Sequence, residues 1–210
     1  MPDSRKHAAL SPWRQALGDD FSSLHPRLRR YFEAIPDGAV GRGEGVFDLV
    51  GTPRRWLWPI LSFLAVDHVL FPAWDSDLPF AIRNTYEDGR VRGLRRFEFP
   101  VRARTMTDSI GWESGQLVDR LGRRGSVRVG FRASVVDAGL VLESEWIRLG
   151  GLRMPKVLAP RVRLEETWDV TARRQRVSFV MEHPLLGRLY EYSGVFDYRV
   201  TGEPRNGAAG

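Results

Sequence analysis

The stretch RVSFVMEHPLLGRLYEYSGVF, residues 176–196, has the pattern of two β-strands joined by a turn. Side chains alternate between the two faces of a strand. One face of the first strand therefore carries Val177, Phe179, Met181 and His183. A proline follows at position 184, Gly187 suits a turn, and a second apolar strand begins after it. The stretch predicts a hairpin with one covered face, on which the histidine is the exception.

The same alternation continues through the chain after Leu78. Residues 79–100 predict a hairpin that turns at Asp88-Gly89, and residues 126–150 predict another that turns at Asp137-Ala138-Gly139. About eight or nine strands joined by short turns favour an antiparallel meander. We therefore predict a mainly β (α+β) protein whose sheet curls into a barrel or half-barrel.

Two helices are predicted before the strands, near residues 21–35 and 53–70. In the first, Ser22 or Ser23 is the expected N-cap and Pro26 lies in the first turn. In the second, Pro59 either kinks the helix or delays its start. Both helices are expected to cover or plug the barrel.

The expected domain organisation is a single β-barrel-like domain over residues 21–200. Residues 1–20 are expected to form a flexible N-terminal segment, and residues 201–210 a flexible tail. A chain of 210 residues that is 42% hydrophobic can bury a core of this size.

Composition excludes several functions. The net charge is +6, but the arginines alternate with apolar residues as they do on solvated strand faces, so no nucleic-acid partner is expected. The chain has no cysteine, and its four histidines lack metal-ligand spacing, so we expect no metal. GRGEG, residues 41–45, precedes strand residues instead of linking a strand to a helix, so we expect no nucleotide cofactor.

The longest uncharged apolar run, residues 56–66, is too short to span a bilayer and contains Pro59. No signal peptide is visible, so we expect a soluble cytoplasmic protein. Burial of this run as a barrel lid is the favoured interpretation. With Arg54 and Arg55 beside it, peripheral contact with a membrane surface is the alternative. A homodimer also stays open.

Several polar side chains share faces with the apolar residues of their strands. They are Asn84, Arg95, Glu166, His183 and the tyrosines at 190, 192 and 198. Burying an unpaired charge is costly, so Glu166 is expected to contact Arg95 or His183. Three interpretations stay open: an interior ion pair with His183 capping the strand end, a set of groups that orients a ligand, or acid–base catalysis.

For catalysis, the candidate residues are Glu166, His183 and Tyr192. A carboxylate beside a histidine can act in general acid–base catalysis, and a tyrosine hydroxyl can bind a carbonyl or enolate oxygen. The candidate ligand-binding residues share an inward direction. They are Asn84, Tyr86, Arg95, Trp168, Tyr190, Phe196 and Tyr198.

Three segments of the chain together resemble the family called domain of unknown function 4166, over roughly residues 20–198. They are GLRRF at 93–97, GGLRMPKVLAPRVRLEE at 150–166 and HPLLGRLYEYSGVF at 183–196. The matching positions are Arg95, Phe97, Pro155, Pro160, Glu165 or Glu166, Pro184, Gly187, Tyr192 and Gly194. Gly93 stands where the family pattern has an aromatic residue. The family occurs alone or fused behind dehydrogenase-like domains, which implies small-molecule metabolism without assigning an activity.

Three functions are therefore considered. The first is binding of a small hydrophobic metabolite inside the barrel. The second is a cofactor-independent cyclase or isomerase acting on a polyketide- or terpenoid-like substrate of secondary metabolism. The third is a module that docks to a dehydrogenase partner. Whether the chain is an enzyme is left open by the sequence.

Overall fold

The chain folds into a closed antiparallel barrel of ten strands, with two extra strands and three short helices, in a computed structural model that describes residues 10–202. The predicted class is confirmed, and the sheet closes fully. The strands are β1 Ala39–Gly51, β2 Trp74–Asp75, β3 Leu78–Glu87, β4 Arg90–Phe97, β5 Arg104–Glu113, β6 Gln116–Leu121, β7 Val127–Val136, β8 Gly139–Leu149, β9 Leu152–Arg153, β10 Arg161–Asp169, β11 Arg174–His183 and β12 Gly187–Gly202.

Two features of the strand order complete the barrel. β12 lies between β11 and β1, so the first and last long strands pair, from Ala39 opposite Gly202 onward. β8 also pairs with β10 over the short ladder from Arg163 opposite Glu143 to Glu166 opposite Leu140. The extra strands β2 and β9 pair with β1 and β8. The GRGEG segment lies inside β1, which is regular strand rather than a phosphate-binding loop.

Aromatic side chains fill much of the barrel interior. The Phe47 ring lies 4.4 Å from the Phe80 ring, 5.2 Å from Phe97 and 5.4 Å from Tyr192, centroid to centroid. Phe71 packs in turn against Phe97. Edge-to-face contacts of this kind add to the stabilisation that burial itself provides. This half of the interior is packed core, not a hollow.

Two helices cover the barrel end that carries the β3–β4, β5–β6, β7–β8 and β10–β11 turns, which we call the helix-capped mouth. α1 is Pro12–Leu17, α2 is Pro26–Phe32, and a 3₁₀ helix spans Gly18–Ser23 between them. The backbone N–H of His25 donates to the carbonyl of Ala138 in the β7–β8 turn at 2.8 Å.

Two expectations for this region are corrected. The N-cap of α2 is His25, whose Nδ1 accepts from the Arg27 N–H, and not Ser22 or Ser23, which lie in the 3₁₀ helix. A flexible segment over residues 1–20 does not describe α1, where Trp13 and Leu17 are buried in the core. Residues 1–9 and 203–210 lie outside the described range, and Thr201 and Gly202 belong to β12 rather than to a tail.

The opposite end of the barrel, the α3 mouth, is covered by the long connection between β1 and β3. This connection contains a 3₁₀ turn at Arg55–Leu57 and α3 at Trp58–Val66. The predicted helix over 53–70 is thus shorter, and Pro59 marks its first turn because the helix starts late. Leu61 points into the core, and Asp67 accepts from the Ser126 hydroxyl at 2.6 Å, which fixes α3 to the β6–β7 loop. Within residues 10–202, no helix is long and apolar enough to cross a membrane.

Candidate functional site

Six polar side chains from six strands meet inside the barrel between the aromatic core and the helix-capped mouth. This interior polar cluster consists of Asn84, Arg95, Asp108, Asp119, Glu166 and Gln175. Three of them, Asn84, Arg95 and Glu166, are predicted from alternation. The other three follow the same rule. Asp108 alternates with Met106 and Ile110, Asp119 with Leu117 and Leu121, and Gln175 with Val177.

Arg95 forms an ion pair with Asp108 on the neighbouring strand β5. The expected direct pair between Arg95 and Glu166 is not formed, because Asp108 lies closer, one strand away from Arg95. A Cβ at position 93 would lie 2.5 Å from Oδ1 of Asp108, so a larger residue there would force this carboxylate to shift from its place against β4. The departure of Gly93 from the family pattern thus has a steric reason in this chain.

Two carboxyl groups of the cluster have pKa values raised to near neutral pH. Burial, reinforced by the charge of Asp108, raises the pKa of Asp119 to about 7. Burial also raises the pKa of Glu166 to about 7, against the opposing effects of a hydrogen bond from Gln175 and the charge of Arg95. Oδ1 of Asp119 is shielded from solvent and has no hydrogen-bond partner within residues 10–202. The cluster therefore holds two carboxyl groups that gain or lose protons near neutral pH.

Glu166 accepts a hydrogen bond from Nε2 of Gln175 and does not contact His183. Glu166 lies opposite Val177, and His183 is six residues further along β11, roughly 20 Å away at the α3 mouth. His183 instead accepts from the Leu185 N–H at 3.2 Å and bonds the Val157 carbonyl at 3.2 Å. The expected Glu166–His183 pair is wrong, because alternation gives the face of a residue and not its height in the barrel.

Tyrosines line the cluster towards the helix-capped mouth. Asn84 Nδ2 donates to the Tyr198 hydroxyl at 3.3 Å, and the Tyr31 ring of α2 meets the Tyr198 ring edge-on at 4.6 Å. The Tyr198 hydroxyl lies where a Cβ of residue 41 would be, so Gly41 makes room for it. Burial raises the pKa of Tyr192 and raises that of Tyr198 to about 12, which keeps both hydroxyls protonated as donors. Tyr31 was not predicted, because its helical stripe gave no sign of which residue reaches the barrel.

A cavity of about 600 Å³ opens at the helix-capped mouth, between α2 and strands β10–β12. Its apolar wall consists of Tyr31, Trp168, Phe196 and Tyr198. Gln175 lies in the same wall, so Glu166 is one hydrogen bond behind the cavity surface. Three predicted ligand-binding residues, Trp168, Phe196 and Tyr198, therefore line one cavity.

The other predicted ligand-binding residues lie elsewhere. Asn84 and Arg95 belong to the polar cluster beneath the cavity. Tyr190 is fully buried in the aromatic core and lines neither of the two cavities described for residues 10–202, so nothing supports the expectation for it. Tyr86 lines a second, more open depression of about 540 Å³ beside the β3–β4 turn.

Replacing Glu166 with Gln tests the raised pKa. A carboxyl whose pKa is higher in the folded state contributes stability at low pH and loses it as the pH rises from about 4.5 to 7. We expect Glu166→Gln to match the parent chain at pH 4 and to be more stable at pH 8 by on the order of 2 kcal/mol. Urea unfolding at both pH values measures this difference.

The matched control is Glu165→Gln, one residue away on the outer face, where Glu165 pairs with Arg163 in solvent. It should show no gain at pH 8. A parent chain and Glu166→Gln variant with the same pH dependence would contradict the raised pKa.

The described residues do not form a recognisable metal-binding site. Within the described part of the chain, no three side chains among His, Asp and Glu are grouped so that they could hold a metal ion. The polar cluster instead provides hydrogen-bond donors, acceptors and exchangeable protons next to an aromatic cavity.

The fold and site together define a helix-capped antiparallel β-barrel domain with a buried polar cluster under one mouth. The chain belongs to the family described as domain of unknown function (DUF4166), whose model matches residues 24–196. The resemblance based on residues 93–97, 150–166 and 183–196 is thereby confirmed. The search of curated proteins returned no match to the chain.

Proposed function

We propose that the chain binds a small amphipathic organic anion, with an apolar or aromatic body, in the cavity at the helix-capped mouth. One observation carries this proposal, namely the combination of four aromatic walls with four arginines around one cavity. It refines the expectation of a hydrophobic metabolite by adding a negative charge to the ligand. The ligand's site is the barrel mouth, since the deeper interior is filled by aromatic side chains.

The aromatic walls fit a flat or elongated apolar body. Trp168, Tyr31 and Phe196 all line the cavity between α2 and strands β10–β12. The Trp168 ring is held in place by the His25 ring, stacked at 5.4 Å, and by the Arg27 guanidinium at 5.7 Å. Large side chains with few free torsions bind ligands at low entropic cost.

The arginines favour a negative ligand. Arg27, Arg30, Arg173 and Arg199 line the cavity, and none of them forms an ion pair within residues 10–202. The two acidic lining residues are already paired, Glu33 with Arg14 and Asp197 with Arg174. Guanidinium groups bind carboxylates and similar oxyanions with paired hydrogen bonds.

Binding of the anionic aromatic probe 8-anilinonaphthalene-1-sulfonate tests the site. We expect probe binding to the folded chain, and at least about tenfold weaker binding when Arg173 and Arg199 are both replaced by Ala. Isothermal titration calorimetry measures the affinity. Native mass spectrometry of the purified chain shows whether a cellular anion is already bound.

The matched control for this test is Arg132→Ala, on the outer barrel face, where Arg132 pairs with Glu143. It should bind the probe like the parent chain. Equal affinity in the parent and in the Arg173→Ala/Arg199→Ala variant would remove the cavity from consideration.

A second candidate function is acid–base catalysis on the bound ligand, as in a cofactor-independent isomerase or cyclase. The observation that favours it is Glu166, which has a pKa of about 7 and is joined to the cavity wall by Gln175. Incubating the chain in D₂O with the molecule it retains during purification should exchange a carbon-bound proton for deuterium. Exchange that persists in Glu166→Gln would exclude this role for Glu166.

Other expectations stay predictions. His183 is not part of this catalytic proposal, because it lies at the opposite mouth. Docking to a dehydrogenase, homodimer formation and a cytoplasmic location are neither supported nor contradicted by the geometry of residues 10–202.

A further inference from the structure

We propose that the α3 mouth is a docking surface for an anionic phospholipid bilayer, into which the outer face of α3 and two neighbouring loop tips insert. This surface lies at the opposite end of the barrel from the cavity. The proposal is therefore independent of the proposed function.

Several apolar residues of α3 face outward, while Trp58, Leu64 and Ala65 pack partly against the core. Ile60, Phe63 and Val66 are exposed, Phe63 and Val66 each by 78%, and Trp56 just before the helix is also exposed. Only Leu61 of the helix is buried. An outer helix face with three exposed large apolar side chains is expected to lie against an apolar environment.

Neighbouring loops extend the same apolar surface. Leu185 and Leu186 form the tip of the β11–β12 turn, and Val157 and Leu158 form the tip of the β8–β10 loop. Arg54 Nε donates to the Arg188 carbonyl at 2.7 Å, which joins the start of the α3 segment to the β11–β12 turn. The His183 ring bridges this turn to the Val157 carbonyl. The three segments are thus fixed side by side.

Exposed apolar side chains are concentrated at this end of the barrel. Of the eighteen large hydrophobic residues exposed within residues 10–202, eleven lie in the connections of the α3 mouth. Only Leu10 and Val170 lie in the segments of the helix-capped mouth. Scattered surface leucines are ordinary, but this one-sided distribution indicates an interaction surface.

The charge distribution favours an anionic partner. The connections of the α3 mouth carry seven basic residues, Arg54, Arg55, Arg102, Arg123, Arg124, Arg153 and Lys156, against four acidic ones, Asp67, Asp75, Asp77 and Glu98. Segments of the helix-capped mouth, counted from Leu10, carry five basic and six acidic residues. Apolar tips within a basic rim match a bilayer with anionic headgroups, because the tips enter the acyl boundary while arginine and lysine stay at the phosphates.

Vesicle sedimentation tests the proposal on the full chain. We expect the chain to sediment with vesicles of about seven parts phosphatidylcholine to three parts phosphatidylserine, and less with phosphatidylcholine alone. Raising the salt from about 0.1 M to 0.5 M should weaken the binding. Replacing Phe63 and Leu185 with Ser should lower the partition coefficient at least about tenfold. Replacing Arg55 and Lys156 with Glu should abolish the preference for phosphatidylserine.

The matched control replaces Val136 and Val170 with Ser, since Val170 is exposed in the β10–β11 turn and Val136 is exposed at the end of β7, both far from the α3 mouth. This variant should sediment like the parent chain. The proposal is overturned if the parent chain ignores phosphatidylserine vesicles, or if Phe63→Ser/Leu185→Ser binds them equally well. It is also overturned if sedimentation velocity shows a dimer that Phe63→Ser/Leu185→Ser dissociates while no form binds vesicles, because a second copy would then cover the surface.

Discussion

Replacing Arg95 with Met should lower the free energy of unfolding by about 3 kcal/mol, measured by urea denaturation at pH 7. The reason is that Asp108, with its side chain 9% exposed, would keep a buried charge without its cation. The Arg95 side chain is still 22% exposed to solvent, so we expect a loss of stability at the lower end of the range for buried ion pairs. A loss of this size would show that the buried charge of Asp108 destabilises the fold when Arg95 does not neutralise it.

Two further variants separate the charge from the side chain. Arg96→Met, next along the strand on the outer face, where Arg96 pairs with Glu98 in solvent, should leave the stability nearly unchanged. Adding Asp108→Asn to Arg95→Met should recover part of the loss, because the stranded carboxylate is then neutral. A double variant no more stable than Arg95→Met alone would contradict the ion-pair explanation.

Replacing Phe47 with Ala should lower the free energy of unfolding by about 4 kcal/mol. Phe47 is 1% exposed and contacts the rings of Phe80, Phe97 and Tyr192, so its removal leaves a cavity with few ways to collapse. Thermal and urea unfolding measure the loss. The result distinguishes a packed barrel interior from a hollow one, in which the same substitution would cost little.

The neighbouring residue provides the control for this prediction. Val46 lies on the outer face of β1 and is partly exposed, so Val46→Ala should cost well under the Phe47→Ala value. Similar losses for the two variants would mean that Phe47 does not occupy a tightly packed site.

The sequence predicted the face of most site residues but not their neighbours. The alternating pattern correctly predicted that Asn84, Glu166 and Tyr192 point inward, because side chains on a strand point to one of only two faces. It could not show that Arg95 meets Asp108, since that depends on which strands are adjacent and how far each is shifted. The His183 prediction failed for the same reason, as the face was right and the height was not.

Local polarity explains what was missed near the N-terminus. The segment before residue 20 looks polar overall, yet Trp13 and Leu17 are one helical turn apart and together reach the core. Tyr31 likewise belongs to an ordinary helical stripe, and only the closed barrel shows that α2 lies over its mouth. Capping helices are positioned by tertiary packing, so short sequence windows carry little information about them.

The position of β12 between β11 and β1 has a consequence for biosynthesis. Until residues 187–202 have been made, β1 lacks its hydrogen-bonding partner on one side, so its edge is open. The edge of β11 that will pair with β12 is open as well. Such edges are templates for pairing with other chains. We therefore expect the barrel to close only after residues 187–202 have been made, through contacts between residues that are far apart in sequence.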